Sequence, residues 1–128
     1  MGYKMSAPIK ISDSEWEVMN VVWARAPVAA SDIVAELSGK KHWHPRTIRT
    51  LLDRLVRKKA LNFEVDGKRY LYRASISMDV CVRRASQGFL RRVFGGEPAS
   101  MLMHLVQQTE LSREEIAQLK RILSEKEK

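Results

Sequence analysis

Cysteine is nearly absent. Cys81 stands alone in 128 residues, which excludes an intramolecular disulfide and a four-thiolate zinc site. Long apolar runs are missing too: the longest is a few residues, far short of the roughly 20 that span a bilayer. Met1 to Lys10 holds Lys4 and Lys10 but no apolar core, so no secretory signal is read there. A lone thiol and no span lead us to expect a cytoplasmic chain without membrane insertion. Gly-rich phosphate loops and nucleophile-elbow patterns are absent from the sequence. Asp13, Glu15 and Glu17 cluster only in the first turn of a helix, where acids complement the dipole. A nuclease needs carboxylates converging on a metal, and the basic part of this chain has three acids. We therefore expect no catalytic residues, no cofactor and no metal centre.

Acidic residues are the other deficit. There are 23 basic and 15 acidic side chains, a formal charge of +8 and a pI near 9.9. An acidic calcium buffer is excluded, and a polyanionic partner is indicated, nucleic acid before an anionic membrane surface. With 45% hydrophobic residues, the chain is no disordered basic tail. The charge is also localised. Residues 40 to 73 hold 11 basic and three acidic residues, a net +8, whereas the other 94 residues hold 12 of each sign. Solubility alone does not require such clustering.

Ser12 followed by Glu15 reads as a capping box, and Trp16, Met19, Val22 and Trp23 recur at helical spacing. The spacing predicts a first helix over residues 12 to 25, ended by Pro27, with Pro27 to Ala30 an extended link. Ser31 is read as the N-cap of a short second helix with Ile33, Val34 and Leu37 inward, stopped at Gly39. A third helix opens at Pro45 and extends over about 45 to 59. Its Ile48, Leu51, Leu52, Leu55 and Val56 form a core stripe. Leu61 to Val65, Asp66-Gly67, then Lys68 to Arg73 is a hairpin signal with an Asp-Gly loop. That loop pairs Phe63 with Tyr70, Leu61 with Tyr72 and Glu64 with Arg69. It puts Leu61, Phe63, Val65, Tyr70 and Tyr72 on one face, with Glu64, Arg69 and Arg73 on the other. Three helices and a basic hairpin are the order of a winged helix-turn-helix. The expected fold is mostly α with this small β-hairpin.

After Arg73 the pattern changes. Ser77 is placed to cap a long helix to Phe94, closed by Gly95-Gly96, and Pro98 opens another to about Thr109. Ser112 with Glu115 is a second capping box, starting a last helix. These helices are too few to bury their apolar residues alone. We read residues 1–76 as a DNA-binding domain and 77–128 as a helical dimerisation module. Its contacts are assigned to Phe89, Val93, Phe94, Leu102, Leu105, Val106, Ile116, Leu119, Ile122 and Leu123.

DNA binding needs cations to replace phosphate counterions and an element that fits the major groove. The third helix offers both. Arg46, Thr47, Arg49 and Thr50 occupy its N-terminal half, where a recognition helix meets base edges. Arginine pairs with guanine bidentately, and threonine offers a hydroxyl or a methyl. Arg54, Arg57 and Lys58 suit phosphates, as does Lys59, while Lys68 and Arg69 at the hairpin tip suit the flanking backbone or minor groove. Trp43 and His44 stand at the helix entrance, Trp43 packing and the histidines, His42 included, exposed or touching phosphate. The competing reading is a solvated helix face with an ordinary basic hairpin. Two other classes stay open. One is an interaction module docking a protein or RNA. The other is a metal- or redox-responsive regulator sensing through Cys81 or through His42 and His44, although Cys81 also reads as a small core residue.

Ile11-Ser-Asp-Ser-Glu-Trp-Glu-Val-Met, Trp43-His-Pro-Arg-Thr-Ile-Arg-Thr-Leu-Leu-Asp-Arg-Leu-Val, Phe94-Gly-Gly and Leu111-Ser-Arg-Glu-Glu-Ile-Ala-Gln-Leu together resemble the BlaI/MecI/CopY family of bacterial repressors. The resemblance covers nearly the whole chain from Ile11. It implies a homodimer whose winged helices bind a palindromic operator and block transcription of β-lactamase, antibiotic-resistance or metal-homeostasis genes. It also implies recognition through Arg46, Thr47 and Thr50, with phosphate contacts around Arg54 and the wing. In the β-lactamase branch a membrane sensor protease triggers cleavage at an Asn-Phe bond. The aligned pair here is His104-Leu105, the candidate cleavage position. The paired Cys-x-Cys motifs of the copper branch are absent from this sequence.

Overall fold

The structure, a computed structural model, describes residues 9–128. The first eight residues, with Lys4 and the start of the 1–76 domain, lie outside the described part. The chain forms two compact units that divide after Arg83.

In the first unit, α1 spans Asp13–Arg25, β1 Val28–Ala29, α2 Ala30–Lys41, α3 Pro45–Arg57, β2 Leu61–Asp66 and β3 Arg69–Ala74. Ser12 and Glu15 close the predicted capping box: Glu15 N–H donates to Ser12 Oγ at 3.2 Å and Ser12 N–H to Glu15 Oε1 at 2.8 Å. The core takes Val18, Met19 and Val22 from α1, Ile33 and Leu37 from α2, and Ile48, Leu52 and Leu55 from α3. Leu61 and Tyr72 close it from the hairpin side. Each such side chain contributes roughly 1.5–3 kcal/mol by leaving water. Trp23 donates its indole N–H to the Ile76 carbonyl at 3.0 Å, tying the segment after the hairpin back to α1. The arrangement is a winged helix-turn-helix.

Three local expectations are corrected. The link over Pro27–Ala30 contains a short strand, because Val28 and Ala29 pair antiparallel with Tyr72 and Leu71. The hairpin thereby becomes a three-stranded sheet in the order β1-β3-β2. The second helix starts at Ala30, with no side-chain cap from Ser31, and runs past Gly39 to Lys41. Its stop is His42, which takes the left-handed conformation (φ 57°) and donates its N–H to the Ser38 carbonyl.

The hairpin register differs as well. Asp66 pairs with Arg69, Val65 with Tyr70 and Phe63 with Tyr72, so the loop is Gly67-Lys68. Gly67 carries the positive φ, 65°, at the first loop position, where glycine costs nothing sterically. An Asp66–Arg69 ion pair of 3.0 Å closes the turn. Because the register moves by two residues, the side chains keep their predicted faces. Phe63 stacks on Tyr70 with centroids 4.9 Å apart. The third helix ends at Arg57 rather than 59, since Lys59 turns left-handed at φ 67° to enter the wing.

Beyond β3, α4 spans Met78–Phe94, α5 Pro98–Gln108 and α6 Arg113–Lys126. Ser77 Oγ accepts the Val80 N–H at 3.1 Å. Gly95 and Gly96 both adopt positive φ, and Gly96 N–H returns to the Leu90 carbonyl at 3.1 Å. The Ser112–Glu115 capping box forms in both directions. In the unit from Arg84 onward, Phe94 meets Phe89 and His104, each pair with centroids 6.0 Å apart. No residue of α5 or α6, all of them described, is buried. Phe89, Val93, Leu102, Leu105, Val106, Ile116, Leu119, Ile122 and Leu123 stay 38–59% exposed.

Candidate nucleic-acid interface

Helix α3 is sharply two-sided. Ile48, Leu51, Leu52 and Leu55 are buried, whereas Arg46, Thr47, Arg49, Thr50, Arg54 and Arg57 are exposed. The helix is held from its entrance inward. Trp43 packs half-buried against the core. His44 is the N-cap, its Nδ1 accepting the Arg46 N–H at 3.0 Å, and Pro45 occupies the first turn. His44 is thus a structural cap as well as an exposed side chain. Thr50 Oγ1 donates to the Arg46 carbonyl at 2.9 Å, which fixes the hydroxyl and leaves its acceptor lone pairs and the methyl available.

Two clefts flank this face. One, of about 400 Å³, lies between the start of α1 and α3, lined by Ser12, Ser14, Arg46, Thr47, Thr50 and Arg54. The other, of about 410 Å³, lies between α3 and the wing, where Arg49 and Asp53 face Lys68, Arg69 and Tyr70 across the first residues of α2. Tyr72, on the floor of the second cleft, has its phenol pushed up chiefly by burial. The Asp53 charge and Tyr70 add to this, and Arg49 opposes it.

Ion pairs sort the local positive charge. Lys40 binds Glu36 one turn back within α2 at 3.3 Å, and Lys41 binds Glu17 of α1 at 3.5 Å. Arg69 is paired with Asp66, and Arg73 with Glu64 at 3.5 Å. Glu36 also takes Arg25 at 2.8 Å, and that hydrogen bond, partly opposed by burial, holds its carboxyl below the usual range. Among the described residues, Arg46, Arg49, Arg54, Arg57, Lys59 and Lys68 have no carboxylate within 4.0 Å. All lie on the outer face of α3, at its C-terminal turn or at the wing tip. Cations already neutralised gain little from a phosphate, so on this face these six are the ones able to displace counterions.

Lys58, expected at a phosphate, is ion-paired within the fold. Its ammonium turns inward, donating to Glu15 Oε1 at 2.5 Å and to the Lys10 carbonyl at 2.7 Å. The physical reason is Glu15, whose side chain is 0% exposed and needs a cation. Burial tends to raise the Glu15 carboxyl, but hydrogen bonds from Lys58 and Ser12 outweigh it, and the net shift is downward. The sequence shows Glu15 as half of a capping box and gives no sign of this second partner, 43 residues away. It equally gives no sign that Ser12, Ser14 and the start of α2 wall the clefts.

Among the described residues no group of three or more His, Cys, Asp or Glu is placed to hold a metal. His42 ends α2 and His44 caps α3, while Cys81 is buried in α4. No helix in the described part is long and apolar enough to cross a membrane.

The penicillinase repressor family model matches residues 11–125. The methicillin resistance regulatory protein MecI of Staphylococcus aureus strain N315 is 34% identical over 117 residues, covering 91% of this chain and 95% of MecI. The penicillinase repressor of Bacillus licheniformis is 37% identical over 116 residues, 91% of each chain. The solution structure of monomeric B. licheniformis BlaI in complex with the blaP half-operator superposes with a TM-score of 0.50 at 38% identity. It covers 55% of this chain and 85% of that one.

Proposed function

This chain belongs to the penicillinase repressor family, a family of transcriptional repressors and not of enzymes, and from that premise we propose that it is a dimeric, cytoplasmic repressor of resistance genes. Helix α3 reads a palindromic operator in the major groove, and the wing grips the flanking backbone. The observation that carries this is the row of exposed, unneutralised arginines interleaved with Thr47 and Thr50 on a helix whose other face is locked in the core. Arg46, Thr47, Arg49 and Thr50 meet base edges, and Arg54, Arg57 and Lys68 meet phosphates. The related BlaI structure with its half-operator supports the same use of this domain.

Dimerisation falls to the second unit. Phe89, Leu102, Leu105, Ile116 and Leu119 are among its exposed apolar side chains, and a second copy is what gives them a place out of water. Two copies present two recognition helices, so the operator has half-sites about one helical turn, or a multiple of it, apart. Relief by a membrane sensor protease would act on His104-Leu105 within α5, a pair that departs from the family's Asn-Phe. Cleavage requires that helix to open, because a protease takes its substrate extended.

Footprinting of the full chain on DNA from its own upstream region tests the reading. The expected result is two symmetric protections with centres about 10 base pairs apart or a multiple of that. An interaction module for protein or RNA would leave that DNA unprotected.

A further inference from the structure

Glu15 and Lys58 are unusual in this molecule. Glu15 is the one charged side chain among the described residues that is fully out of water. Its Oε1 accepts from Ser12 N–H and Lys58 Nζ, whereas Oε2 is buried without a hydrogen-bond partner. A buried carboxylate left with no cation is costly, so Lys58 is drawn in while Arg57 and Lys59 on either side remain exposed. The same ammonium also takes the Lys10 carbonyl. One side chain therefore joins the strand of chain before α1, the first turn of α1 and the end of α3.

The place of that junction matters. Lys58 is the C-cap of α3, donating its N–H to the Arg54 carbonyl at 3.0 Å. Lys59 follows in the left-handed region, and Ala60 N–H bonds back to the Leu55 carbonyl at 3.0 Å. This is the corner at which the helix becomes the wing. On the α1 side, Ser12 is both the N-cap bonded to Glu15 and a wall of the cleft beside Arg46, Thr47 and Thr50. A shift of the corner relative to α1 would change that cleft and the pitch of the exposed arginine row together.

We propose that Lys58 is a positioning residue of the DNA interface and not one of its phosphate ligands, latched through Glu15 and the Lys10 carbonyl so that the helix–wing corner is fixed against α1. Operator affinity then depends on Glu15, a buried side chain that no DNA touches. The proposal rests on the DNA-binding reading above.

The test measures binding of the full chain to a labelled duplex from its own upstream region, and to a random duplex of equal length, across a salt series. It compares wild type with Glu15→Gln, Lys58→Met and Lys58→Arg at a temperature where thermal melting shows every variant folded. Glu15→Gln and Lys58→Met are expected to weaken binding to the upstream duplex by about tenfold, a usual size for partners in one network. The slope of log K against log salt stays that of wild type, since no phosphate contact is lost. Lys58→Arg keeps most of the affinity, because a guanidinium still pairs with the carboxylate.

A slope lowered by about one in Lys58→Met, with Glu15→Gln binding as wild type, makes Lys58 a phosphate ligand and overturns the proposal. Unchanged affinity in both folded variants overturns it too. Should a single variant fail to fold, Glu15→Met with Lys58→Met replaces the pair by apolar contact. There a wild-type slope supports the latch and a slope lower by about one contradicts it. If wild type shows no preference for the upstream duplex over the random one, sequence-specific repression fails instead. The slopes on random DNA still decide what Lys58 does.

Discussion

The Glu15 carboxylate is buried and charged, and its folded form holds its proton less tightly than the ordinary carboxylate value of 4.5. The sign follows from linkage. A depressed carboxyl stabilises the fold fully above 4.5 and loses that contribution as the pH falls through the folded value. The melting temperature of the first unit should therefore drop on acidification below about pH 4.5, and Glu15→Gln should flatten that part of the profile at the cost of lower stability at neutral pH. A Glu15→Gln profile as steep as wild type would place the acid sensitivity elsewhere. Leu52, 1% exposed and within the α3 stripe, offers a second check. Leu52→Ala should cost about 2–5 kcal/mol in urea unfolding, and a loss below 1 kcal/mol would mean that the stripe is loosely packed. At this scale the sequence was informative wherever chemistry is local. The arginines and threonines of α3 sit on the exposed side because Ile48, Leu51, Leu52 and Leu55 repeat at helical spacing. Lys58 was not legible, because its direction is set by a buried acid far away in the chain.

Elements behaved in the same way. Helix ends with strong local punctuation, such as the Ser12–Glu15 and Ser112–Glu115 boxes, Pro45, Pro98 and Gly95-Gly96, fall where the sequence implies. Strand β1 was invisible, since two residues carry no periodicity and their pairing partners lie in β3. The hairpin turn lies one residue beyond the Asp-Gly loop the sequence suggests, because pairing of Asp66 with Arg69 moves glycine to the first loop position. A Cβ at Gly67 would meet nothing within 4 Å, but its φ is +65°, so Gly67→Ala should cost roughly 1–2 kcal/mol from backbone strain alone. Chemical denaturation measures this, and Gly67→Asn should recover part of it, because asparagine tolerates the left-handed region. Equal stability of Gly67→Ala and wild type would contradict the turn geometry. Ser12→Ala should remove about 0.5–2 kcal/mol from α1 in the same assay.

For the whole molecule, the excess of positive charge and the excess of exposed apolar surface fall in different units. Residues 40 to 73, which build α3 and the wing, hold a net +8, and apolar side chains remain exposed along α4, α5 and α6. A chain ending at Arg83 keeps the core, the Trp23–Ile76 hydrogen bond and buried Cys81. It should fold, melt cooperatively and sediment as a monomer, while the full chain sediments as a dimer. A truncated chain that still sediments as a dimer would move the interface to the first unit. The central claim is that the outer face of α3 reads base sequence. It is tested most directly by titrating wild type and Arg46→Ala against the upstream duplex and a random duplex at one salt concentration. Arg46→Ala should lose about 1–3 kcal/mol on the upstream duplex and much less on the random one. Equal losses on both would show that Arg46 contacts phosphate only and that this face does not read bases.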